Sequence, residues 1–113
     1  MAKSLNFNTM KKKYLTVTLP DDGETILMIG MPTKAIMGSL LAMQSSVEML
    51  TEDETDTEAL DMMYESCAKI MSRNKMGIPV SQEKLEEIFD FEDILVFFTA
   101  YTEFVTEATT QKN

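Results

Sequence analysis

Residues 91–105, "FEDILVFFTAYTEFV", set an apolar or aromatic side chain on nearly every face of a helix. A helix that is apolar all round must be buried on every side or covered by something outside its own chain. A membrane does not meet the need. A span takes about 20 apolar residues, whereas the run "ILVFF" stops at Thr99 with Glu92, Asp93, Glu103 and Glu107 around it. The segment therefore predicts a helix with one face in a core and another meeting a second chain. Helical spacing groups Phe91, Ile94, Leu95, Phe98, Tyr101 and Val105 on the core stripe and leaves Phe97 and Phe104 projecting elsewhere.

A core has room to form in this chain. Its 113 residues make one domain of ordinary size, and 44% hydrophobic with 26% charged residues argues against disorder. In "YLTVTL", Leu15, Val17 and Leu19 alternate with Thr16 and Thr18, the period of a half-buried strand. "PDDG" supplies a turn, with Gly23 expected in the left-handed position, and "TILMIGM" follows as a second strand expected to be covered on both faces. The hairpin spans 14–31. Alone it is marginal in water, so it must lie on its own helices or join strands of another subunit.

Helical periodicity takes over after Pro32. A helix over about 33–50, capped by Thr33, aligns Ile36, Leu40, Met43, Val47 and Leu50, with Met37 and Leu41 widening the stripe. Thr55 and Glu58 have capping-box spacing for a second helix over 56–74, whose Leu60, Met63, Tyr64, Cys67, Ile70 and Met71 face inward. A short helix over 81–89 follows a Ser81 cap and turns Leu85, Ile88 and Phe89 inward; Asp90 then starts the last helix, 90–108. The fold class is α+β and mostly helical: one domain over 14–109, preceded by a flexible basic arm, 1–13, and followed by a frayed tail, 110–113.

Charge divides the chain. Residues 1–13 carry Lys3, Lys11, Lys12 and Lys13 and no acid, whereas residues 14–113 sum to −13 within a total of −9. A body so acidic repels phosphate backbones, so nucleic acid is not an expected partner. The lysines read as a solvated arm. Cys67 is the single cysteine, which excludes an internal disulfide and fits a reducing compartment, and the opening residues lack the apolar region of a signal peptide.

No constellation names a reaction. Histidine is absent, removing Ser-His and Cys-His nucleophilic arrangements and most zinc sites. Cys67 sits on an apolar stripe as a small hydrophobe. The acidic run at 52–58 lacks the glycine of a calcium loop and reads as a solvated helix start. No glycine loop cradles a phosphate. Neither enzyme activity, nor a cofactor, nor a metal is expected.

What remains is soft apolar surface. Eleven methionines, among them Met28, Met31, Met37, Met43, Met49, Met62, Met63 and Met71, recur along the hairpin and helices, and methionine serves both irregular cores and surfaces that accept varied helical ligands. Phe91, Ile94, Phe97, Phe98, Tyr101 and Phe104, with Met37 and Met43, are the residues expected to meet a partner.

In the order of its parts the chain resembles the small tail assembly chaperones of long-tailed phages and prophages of Gram-positive bacteria. The resemblance rests on the lysine-rich start "MKKKYLTVTLPDDGETILMIGMPTKA", the acidic helical body and the closing "LEEIFDFEDILVFFTAYTEFV". It implies a cytoplasmic, non-enzymatic protein that keeps the helical tape measure protein soluble before tail tube polymerisation and is absent from the mature virion. It also implies a short form and a frameshifted longer form: the closing "QKN" can be encoded by CAA-AAA-AAC, which contains the slippery heptamer A-AAA-AAC. A hairpin and a final helix that each want a second chain imply a homo-oligomer. Two other readings stand beside it: a structural virion component such as a tail tube or connector protein, and a small acidic phage regulator docking on a host protein.

Overall fold

The computed structural model describes residues 5–7 and 11–110. It has an antiparallel hairpin, β1 (Leu15–Thr18) and β2 (Ile26–Ile29), followed by helices α1 (Lys34–Glu52), α2 (Thr57–Ser72), α3 (Gln82–Ile88) and α4 (Phe91–Thr110). The fold is α+β and mostly helical. Within the basic arm, residues 5–7 and 11–13 form neither strand nor helix; Lys3, like Gln111, Lys112 and Asn113 of the tail, lies outside the described residues.

The hairpin register pairs Leu15 with Ile29 and Val17 with Leu27. Leu19, Leu27 and Ile29 are fully buried, so this hairpin lies on the helices of its own chain. Its turn is held by Asp21, whose carboxylate accepts from the Thr25 backbone N–H at 2.9 Å and hydroxyl at 2.7 Å and pairs with Lys84 of α3 at 2.9 Å. That bonding puts the left-handed residue at Glu24, with φ of +47°, and not at Gly23 as the sequence implied. Lys84 and Thr25 together hold the Asp21 carboxyl well below the usual range. The second strand is covered on one face only: Ile26 is exposed and Met28 half-buried. The open edge of β2 takes a bridge from Ile29 to Asn74 and a bond from the Lys75 N–H to the Met28 carbonyl at 2.8 Å.

The helix starts follow their sequence signals closely. Thr33 accepts from the Ile36 N–H at 3.3 Å and Ser81 from the Lys84 N–H at 3.1 Å. Asp90 and Asp93 accept each other's backbone N–H at 2.9 Å, a reciprocal capping box. α2 differs. Asp56 caps it, accepting from the Ala59 N–H at 3.0 Å, while Thr55 donates its hydroxyl to Asp53 at 2.7 Å. Either residue suits an N-cap; engaging Thr55 with Asp53 leaves Asp56 for the helix.

α2 is the central element. Met63, Cys67, Ile70 and Met71 have no exposed surface, and they pack with Leu40 and Met43 of α1, Leu85 of α3 and Ile94 and Tyr101 of α4 in one core. Burial pushes the Cys67 thiol far up, consistent with a hydrophobe and not a nucleophile. Tyr64 of α2 donates its hydroxyl to the Phe89 carbonyl at 2.9 Å, fixing the α3–α4 corner.

A depressed carboxyl stabilises the fold above its unfolded pKa of about 3.9 and loses that contribution as pH falls. Urea midpoints at pH 5 and pH 2.5 are therefore expected to fall more steeply for the wild type than for Asp21→Asn. Parallel slopes would show that Asp21 is not the linked group.

Candidate functional site

The rotational setting of α4 decides which apolar side chains remain outside the core. Ile94, Phe97, Tyr101 and Val105 are buried. Phe97 stacks on Tyr101 with centroids 5.8 Å apart and planes 12° apart, and Phe104 lies tilted against the other side of Tyr101 at 6.0 Å. The Tyr101 hydroxyl donates to the Gly30 carbonyl at 2.9 Å, joining α4 to the end of the hairpin. Burial pushes the Tyr101 pKa up to about 12, opposed in part by Arg73, so the hydroxyl remains a donor across the physiological range.

This setting corrects three of the sequence assignments on α4. Phe97, expected to project away from the core, is 5% exposed, and Phe91, expected on the core stripe, is 40% exposed. The buried stripe is rotated towards Phe97 because the aromatic stack and the Gly30 bond hold it there. Phe104 is half-buried and packs against the core, again contrary to the expected projection; Phe98 and Leu95, expected on the core stripe, pack against it as well. Ile94 and Tyr101 are wholly enclosed and present nothing to a partner in this state, and Met43 is likewise enclosed on α1. Met37 and Leu41, expected to widen the buried stripe of α1, are exposed. Of the eight residues expected at a partner surface, Phe91 and Met37 are the exposed ones.

Phe91 stands at the mouth of a cleft between the last turns of α1, the first turn of α2 and the first turns of α4. Val47, Leu50, Leu60, Phe91 and Leu95 give it apolar walls, Thr51 and Glu54 edge it, and its volume is about 380 Å³. Leu95 also borders a shallow groove running along the outer face of α4, with Glu92, Val96, Thr99, Ala100 and Glu103. Val96 is 64% exposed there. Small Thr99 and Ala100 leave the groove floor low, which lets another backbone approach at helix–helix distance. Cleft and groove share one side chain and form one apolar track over about three turns of α4, roughly 16 Å. Leu41 and Met49 on α1 and Met62 on α2 add exposed apolar surface elsewhere.

Sequence reasoning missed Val96 and the walls supplied by Val47, Leu50 and Leu60. A signal for Val96 was present: it is the one large aliphatic residue on the face of "EDILVFFTAYTE" otherwise made of Glu92, Thr99 and Glu103. Among the described residues, no group of three His, Cys, Asp or Glu is arranged to hold a metal ion, and no helix is long and apolar enough to cross a membrane. Comparison with models of known protein families, with curated proteins and with solved structures finds no match.

Removing a buried aromatic costs about 3–5 kcal/mol, whereas truncation at an exposed site stays within about 1 kcal/mol. Phe97→Ala is expected to show the first loss in urea denaturation and Phe91→Ala the second. A larger loss for Phe91 than for Phe97 would reverse the setting of α4.

Proposed function

We propose that this chain is a non-enzymatic assembly chaperone of a long-tailed phage or prophage, acting in the host cytoplasm. It covers apolar helical stretches of the tape measure protein until the tail tube polymerises around that client, and it stays out of the finished virion. Several copies cover one long client, each contributing one short track.

The observation that carries this reading is the open apolar track from the Val47–Leu60–Phe91 cleft along the outer face of α4. An apolar track with a polar edge is the shape that takes the i, i+3, i+4 and i+7 side chains of an amphipathic helix. The acids beside it, Glu54, Glu92 and Glu103, keep the uncovered protein in solution and discourage its collapse onto unrelated apolar surface. The enclosed thiol of Cys67, raised by burial, is unsuited to act as a nucleophile.

Co-expression with the long helical product of the neighbouring gene is expected to yield a stable complex by light scattering. Phe91→Glu and Val96→Glu are both exposed changes, so each is expected to leave the fold intact while weakening that complex about 30-fold or more, the loss typical of an interface anchor. A wild type that never binds the helical product, or variants that bind it as well as the wild type, would overturn the reading.

A further inference from the structure

A helix on the surface of a globular protein buries one stripe and turns a polar face to water. α1 departs from that pattern. Leu40, Met43 and Leu50 are buried, yet Met37, Leu41 and Met49 on its outer side are exposed, the last two over more than half of their surface. Helical spacing sets Leu41 on the side directly opposite Leu50. Lys34, Ser45, Glu48 and Glu52 share that outer side and are exposed as well. Gly38 lies among them beside open space: a side chain there would meet nothing within 4 Å.

The charges at the ends of α1 oppose the helix's own dipole. Acids in a first turn and bases in a last turn stabilise a helix. The first turn of α1 holds no acid and its last turn no base. Instead Lys34 is its first residue and Glu52 its last, with Glu48 one turn before. Among the described residues, none of these three charges enters an ion pair. The arrangement costs the isolated helix stability and finds no compensation within the chain's own fold.

A second α1 laid antiparallel on this face supplies that compensation. A two-fold axis at the level of Met43 sets Lys34 of one copy level with Glu52 of the other, and Glu48 within one turn of the same lysine. The positive start of each helix then lies beside the negative end of its neighbour. Leu41 comes level with the small Ser45, which lets the two backbones approach closely. Met49 comes within one residue of the level of Gly38 in the other copy, where the missing side chain leaves room for it. A parallel pair has none of these merits, because it would set Lys34 on Lys34 and Glu52 on Glu52. An isologous interface requires each residue's counterpart to lie on the same face, and this face contains its own complement.

We propose that the outer face of α1 is a self-association surface, which pairs antiparallel with α1 of a second copy of this chain. It is turned away from Val47 and Leu50, so pairing and the apolar track use different sides of the helix. The inference does not rest on the chaperone reading, and its test needs no client.

Sedimentation equilibrium of the full chain alone, from micromolar to millimolar concentration, tests whether it pairs. A monomer–dimer equilibrium is expected, because a two-fold pairing closes on itself. Leu41→Glu is an exposed change near the centre of the interface and is expected to weaken the dimer about tenfold or more. Lys34→Glu is expected to weaken it in the same direction by opposing like charges at both ends, and Lys34→Glu/Glu52→Lys to recover much of that loss. Orientation is read by mixing Lys34→Cys protein with Glu52→Cys protein under mild oxidation. Unlike chains are expected to cross-link in preference to like ones, with the enclosed Cys67 unreactive. A chain that stays monomeric throughout, a Leu41→Glu protein that associates like the wild type, or preferred cross-linking of like chains would each overturn the proposal. So would association that Val96→Glu abolishes and Leu41→Glu spares, which would assign self-association to the track.

Discussion

The hydroxyl of Tyr101 reaches across 71 residues of sequence to the Gly30 carbonyl, and most of what is distinctive about this structure depends on that contact. A helix with apolar residues all round has no preferred face by hydrophobicity alone, because several rotations bury similar area. A directional bond removes the degeneracy: Tyr101 is fully enclosed, and any other setting of the helix would take its hydroxyl from the half-buried Gly30 carbonyl. With Tyr101 held, Phe97 and Phe104 pack on either side of it, Ile94 and Val105 follow into the core, and Phe91 and Val96 stay outside. The apolar track follows from what the core leaves out. The same bond anchors the end of β2, beside which the Asn74 bridge forms.

Both exposed apolar surfaces draw on α1. Its inner side supplies Val47 and Leu50 to the cleft, and its outer side carries Met37, Leu41 and Met49. α2 is enclosed along nearly its whole inner face, and packing against it fixes the rotational setting of α1. This arrangement lets a client and a second copy approach α1 from different sides without either disturbing the other.

Much of the fold was legible because it is written in local chemistry. The stripe Leu40, Met43 and Leu50 on α1, the stripe Met63, Cys67, Ile70 and Met71 on α2, and the alternation of Leu15, Val17 and Leu19 each repeat with the period of their element. Thr33, Ser81 and Asp90 cap the helices that their spacing implies. The failures have tertiary causes. Glu24 takes the left-handed turn position because Asp21 is engaged by Thr25 and by Lys84, sixty-three residues downstream. The setting of α4 depends on a carbonyl in another element. Hydropathy alone widens the buried stripe of α1 to Met37 and Leu41, and packing on α2 turns both outward.

Hydroxyl-radical footprinting of the aromatic residues tests the central claim most directly, measured on the protein alone and in the presence of the proposed helical client. The account predicts ready oxidation of Phe91 and protection of Phe97 and Tyr101 in the free protein, with Phe91 becoming protected in the complex. Equal oxidation of Phe91 and Phe97 in the free protein would contradict the setting of α4, and a Phe91 that stays reactive in the complex would contradict the use of the track.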